Sequence, residues 1–192
     1  MENFLYTRFH DEKLRFANTG IKGDLLDRFD EDLAKWQLQY VSLLLGMNDR
    51  RYQEFEWENF AVYQRDVNTV LDRLNEIEAR LIILLLTLFD QWHYTIRNKD
   101  PDFCFERLSV YQDYNTKLAF YEGWLWNVPW TRYLEYLDLL RSMNDFTTSF
   151  RQNRSFTMIP DSINPNPDGM ALMAVEMARY FAESGVEASR MN

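Results

Sequence analysis

The sequence predicts an all-α protein, an elongated bundle of about five helices, and three observations carry that prediction. Apolar residues recur in alternating steps of three and four over long stretches, the period of a helix face. Breakers are scarce, with 6 Gly and 5 Pro in 192 residues, too few for the frequent turns of an all-β chain. Aromatic residues reach 16% and apolar residues 46%, which disfavours disorder and suffices for a sizeable core.

The first long periodic segment runs from Asp24 to Leu45, with Leu26, Phe29, Leu33, Trp36, Tyr40 and Leu43 on one face. Asp24 suits the N-cap, and Asp27, Asp30, Glu31 and Asp32 place negative charge in the early turns, where the helix dipole favours it. Gly46 and Asn48-Asp49 supply the stop.

From Arg50 to Arg97 there is neither Gly nor Pro, and the stripe Phe60, Tyr63, Val67, Val70, Leu74, Ile77, Leu81, Leu84, Leu88 keeps the helical step throughout. Unbroken, about 45 residues at 1.5 Å each would span nearly 70 Å, so the helix kinks or belongs to an elongated bundle. Leu81 to Phe89 is apolar on almost every side, which marks it as the centre of the core. Read as heptads, Phe60 begins the a positions and Tyr63 the d positions, with Arg73 at g and Glu78 at e. That is the pattern of a self-associating coiled coil, and equally of an antiparallel pair within one chain.

Asp100-Pro101 opens the next helix, which passes through Cys104, Leu108, Tyr111, Leu118 and Tyr121 and stops at Gly123. After the Trp124-to-Pro129 corner, a further helix carries Trp130, Tyr133, Leu137, Leu140 and Met143 and fades near Phe150. Arg151 to Asp168 has the composition of an irregular tether, ending in Asn164-Pro165-Asn166-Pro167-Asp168-Gly169. A short final helix follows to about Glu183. The expected division is a helical bundle over 1–150, then 151–192 as tether plus C-terminal helix, docked on the bundle or on a partner.

The net charge of −9 and the pI near 4.8 argue against direct binding of nucleic acid or an anionic membrane surface. No apolar run approaches the length of a membrane span. Cys104 is the one cysteine and the first residues carry charges where a signal peptide needs an apolar stretch, so a cytoplasmic site is expected.

Candidates for chemistry are few. His10 and His93 are the two histidines, and Asp90 shares a helical face with His93. Asp72 with Glu76, and Glu54 with Glu58, have the spacing of paired metal carboxylates, which is also the spacing of any solvated helix face. Gly20 and Gly23 lead into no Gly-Lys-Ser/Thr phosphate loop. No catalytic residue, metal ligand or cofactor is assigned.

Two groups remain. Trp124 and Trp126 lie in an aromatic corner with Tyr121, Trp130 and Tyr133, while Met170, Met173, Met177 and Tyr180 line one face of the last helix. Tryptophan and methionine surfaces accept protein partners; they also serve as ordinary core. The function expected from sequence is therefore a non-enzymatic, acidic, helical interaction protein: an adaptor, an inhibitor or an assembly subunit that binds a protein partner or itself. The alternatives are an all-α metal-dependent hydrolase acting on nucleotides and an acidic nucleic-acid mimic.

Overall fold

Six consecutive residues, Arg80–Leu85, decide the architecture, and they form a β-strand. The computed structural model describes residues 2–11, 13–18, 20, 38–45, 55–85, 89–90, 114–128, 134–150 and 156–183. Within these, the elements are α1 (Glu2–Arg8), β1 (Tyr40–Leu44), α2 (Trp57–Glu76), β2 (Arg80–Leu85), α3 (Tyr114–Leu125), β3 (Leu134–Asp138), α4 (Leu139–Ser149) and α5 (Pro167–Glu183). The three strands form one parallel sheet with β2 in the middle. Tyr40 to Leu44 run beside Arg80 to Leu84, and Leu81 to Leu85 beside Leu134 to Asp138.

A central parallel strand is covered on both faces, so every side chain from Leu81 to Leu85 is buried. One face carries Val41, Leu45, Leu81, Ile83 and Leu85 against Phe60, Tyr63, Val67, Val70 and Leu74 of α2 and Tyr121 and Leu125 of α3. The other carries Ile82 and Leu84 against Leu5 of α1, Leu139 of α4 and Met177 and Phe181 of α5. The result is a three-layer α/β/α arrangement. The helices α2 and α3, each linking one strand to the next, share a face, as right-handed crossovers between strands added in one direction require.

The expected all-α bundle and its coiled-coil seam are thus corrected. Helix α2 is 20 residues long and ends at Glu76, within a chain stretch that holds no glycine or proline. Its end is a Schellman turn in which Glu78 takes the left-handed conformation, φ 55°. The Glu78 N–H donates to Asn75 O (3.2 Å) and the Ala79 N–H to Leu74 O (3.2 Å). Glycine usually occupies that position, and its absence concealed the stop. Arg73 pairs with Glu76 on its own helix at 3.1 Å instead of reaching across a coiled coil.

Beyond the turn, the helical step through Leu81 and Leu84 was a coincidence of composition. Where every residue is apolar, any period can be read. Tyr40 and Leu43, assigned to the first helix, lie on β1, and Leu137, assigned to the fourth, lies on β3. Gly123 stands inside α3 instead of ending it. The Asp24 to Trp36 face, Leu88, His93, Cys104, Leu108, Tyr111, Trp130 and Tyr133 lie outside the described residues.

The final helix is where the sequence placed it. Pro167 occupies its first position and Asn166 caps it, the Asn166 Oδ1 accepting from the Gly169 N–H at 3.0 Å. It packs on the sheet through Met177 and Phe181, with Met173 reaching a third cluster of Met143, Met158 and Ile159. Among the described residues, no helix is long and apolar enough to cross a membrane.

Candidate active-site corner

In an open parallel sheet, ligands bind outside the carboxyl ends of the strands, because connections turn there and helix N-termini point there. The chain reaches that edge at Phe89 and Asp90, just past β2. Asn115, at the start of α3, grips Phe89 with both ends of its amide: its Nδ2 donates to Phe89 O (2.9 Å), and its Oδ1 accepts from the Phe89 N–H (3.1 Å). The Phe89 ring is buried against Tyr114. Asp90 is buried as well, and its N–H donates to Ser162 O at 3.1 Å. That bond holds the segment 156–166 against the carboxyl end of the central strand.

The segment has a loop's composition but is tightly built. Ser162 is buried with φ 68°, a left-handed conformation that is costly for a residue with a side chain. It is fixed at both ends, its N–H donating to Ile159 O (3.0 Å) and its C=O accepting from Asp90. The Asp161 carboxylate organises the turn. Its Oδ1 accepts from the backbone N–H of Ile163 (3.0 Å) and of Asn164 (2.6 Å), and its Oδ2 accepts from the Asn164 side-chain Nδ2 (2.6 Å). Asn166 ties the corner down from the far side, its N–H donating to Met158 O (2.7 Å) and its Nδ2 to Thr157 O (2.8 Å). The corner can hold a half-buried side-chain donor in one orientation against a carboxylate, at the edge of the sheet where ligands bind.

The residues singled out from sequence fall elsewhere. Trp124 is half-buried, edge-on to Phe60 (5.9 Å) and Tyr63 (5.8 Å), and so belongs to the core. Trp126 is exposed on one side and stacked on Tyr136 at 4.4 Å on the other. The Tyr136 hydroxyl donates to Leu125 O at the end of α3 (2.6 Å). Met170 is exposed, whereas Met173 is half-buried and Met177 buried in the core of the opposite face. The structure therefore does not join the tryptophan pair to the methionine face, because the sheet lies between them.

Tyr180 is half-buried, and its hydroxyl is bonded to the Glu135 carboxylate; burial first, then that bond, push its ionisation well above the ordinary tyrosine range. Burial raises Tyr136 too. The unfolded chain releases these phenolic protons near pH 10 while the folded chain keeps them, so folding stability should fall as pH rises above about 10. Urea midpoints across pH 8–11 check this: Tyr180→Phe should flatten the alkaline decline, and an unchanged slope would contradict it.

Of the remaining chemical candidates, His10 is exposed and 3.2 Å from Asp11, and Asp72 and Glu76 are exposed on α2. Glu54 and His93 lie outside the described residues, among which no three His, Cys, Asp or Glu gather as a metal site would need. Asp161, Ser162 and Asn164 were missed. The available signal was Asp-x-x-Asn within a Pro/Asn-rich stretch, which predicts an Asx turn but not its place in the fold.

No family model and no curated protein sequence matches the chain. Its fold, however, matches solved structures. The acetylxylan esterase Axe2 of Geobacillus stearothermophilus superposes with a TM-score of 0.65 at 16% identity, over 97% of this chain and 80% of that one. An acylhydrolase-assigned protein of Bacteroides fragilis gives a TM-score of 0.59 at 16% identity, over 95% and 82%. Catalytic mutants of Axe2 replace a serine, an aspartate or a histidine by alanine, and that aspartate and histidine are three positions apart. The chain thus shares the α/β fold of these solved structures. The reading as a non-enzymatic helical interaction protein, with its nucleotide-hydrolase and nucleic-acid-mimic alternatives, rested on an all-α fold and falls with it.

Proposed function

We propose that this chain is a carboxylic-ester hydrolase whose substrate is an acylated carbohydrate. One observation carries the reading: the Asp161 corner. It stands at the carboxyl edge of a parallel sheet in a fold shared with an acetylxylan esterase. Its carboxylate holds the side chain three residues later, the spacing of the aspartate and histidine altered in the catalytic mutants of that enzyme. A carboxylate in this position fixes the orientation of the side chain it holds at the site edge. Asp161 is a positioning residue in this scheme. The backbone N–H groups of Ile163 and Asn164 hold it ready, so no reorganisation is needed when the ester arrives.

The test is acetate release from acetylated xylo-oligosaccharides and from p-nitrophenyl acetate. The chain should release acetate measurably faster than buffer, and Asp161→Ala should lower that rate, because the turn that shapes the corner loses its organising carboxylate. Release no faster than buffer on both substrates, by the chain and by Asn164→His alike and from preparations with cooperative unfolding, overturns the proposal.

A further inference from the structure

The group that Asp161 holds is an amide. Asn164 donates its Nδ2 to the carboxylate at 2.6 Å, but a carboxamide cannot take up a proton near neutral pH. We infer that Asn164 occupies the general-base position of the corner and sets its turnover: the site is shaped to hold an acyl ester and is deficient in the proton transfer that cleaves it. This inference rests on the ester reading above.

Three features of the corner support it. The carboxylate is oriented independently of Asn164's side chain, by the backbone N–H groups of Ile163 and Asn164, so it persists whatever stands at position 164. Ser162, between the carboxylate and the amide, is held in a left-handed conformation that is costly for a residue with a side chain. An imidazole on the same Cβ carries its Nδ1 two bonds away, as the amide carries its nitrogen. It would donate to the same Asp161 oxygen and leave Nε2 directed away from the carboxylate. Asn164→His therefore asks for no new backbone.

The chemistry that the substitution restores is balanced. As water adds to the ester carbonyl, Nε2 accepts its proton. The ester C–O bond then breaks and the same proton passes to the leaving alkoxide, so one ester and one water become one acid and one alcohol. With Asn164 in place, each proton must pass to solvent water. General-base assistance of this kind contributes roughly 10²–10⁴-fold.

The experiment compares the parent chain, Asn164→His and the double variant Asn164→His/Asp161→Ala on acetylated xylo-oligosaccharide. Asn164→His should raise kcat by about 10²-fold or more with little change in KM. The gain should follow one ionisation near pH 6.5, with the imidazole neutral on the active side. The double variant should lose most of the gain, because the imidazole is no longer oriented. As a second route, Asn164→Gly should be accelerated saturably by added imidazole while the parent is not. If the parent releases acetate and neither route accelerates it, the inference fails and the ester reading stands. If neither the parent nor any variant releases acetate, the ester reading fails and the inference with it.

Discussion

Ile83→Asp and Ile82→Asp should each abolish cooperative folding, read as loss of a urea transition and of most far-UV ellipticity. The two side chains point to opposite faces of the central strand, and both are essentially inaccessible to water. An aspartate at either position buries a carboxylate among Leu, Val and Phe side chains. Uncompensated buried charge costs about 3–5 kcal/mol. That is a large part of the 5–15 kcal/mol by which domains are usually stable. The pair tests both layers at once, because Ile83 packs against α2 and α3 and Ile82 against Leu5, Leu139, Met177 and Phe181. Ile77→Asp is the control. Ile77 belongs to the same apparent stripe but is 39% exposed at the turn after α2, so it should cost less than about 1 kcal/mol. A well-folded Ile82→Asp protein would contradict the sheet.

Two helical glycines should respond to alanine with opposite signs. Gly169 lies in the first turn of α5, and a Cβ built there meets Met158 O and the Pro165 Cβ at 2.9 Å each. Backbone cannot move aside cheaply, and overpacking of this kind costs about 1–3 kcal/mol, enough to outweigh the helix propensity gained. Gly169→Ala should therefore lower Tm by about 2–8 °C. It should also loosen the corner, since Met158 O accepts the Asn166 N–H. Gly123, exposed within α3, has nothing within 4 Å of its built Cβ. Gly123→Ala should raise Tm by a few degrees, corresponding to roughly 0.5–1 kcal/mol of helix propensity. Equal shifts of the same sign would show that the close approach at Gly169 is absent.

Both experiments probe boundaries that differ in how far local pattern reveals them. The buried face of α2 was legible because Phe60, Tyr63, Val67, Val70 and Leu74 repeat at the helical step between polar neighbours, and all five are buried. The C-terminal helix was legible because Pro167 and the residues before it mark its start by backbone chemistry alone. The centre of the core near residue 85 was legible too, since an apolar run that faces no water must be enclosed whatever its conformation.

The strands were not legible, and the reason is physical. Parallel strands are covered on both faces, so they lack the alternation that would reveal period two. Their pairing joins residues about 40 positions apart at Tyr40 and Arg80 and about 53 apart at Leu81 and Leu134, and no local signal records such partners. The Schellman turn at Glu78 removed the last cue by ending a helix without glycine. The candidate site followed the same division. The residues 161–164 specify a turn by their own hydrogen bonds, and that much is written in Asp-x-x-Asn. Its significance arises from one long-range bond, the Asp90 N–H to Ser162 O, which sets the turn at the carboxyl end of β2. Sequence alone determined the buried face of α2, the start of α5 and the enclosure of the apolar run near residue 85. Tertiary structure decided which apolar stretches become strands and which turn becomes a site, because both depend on contacts between segments far apart in the chain.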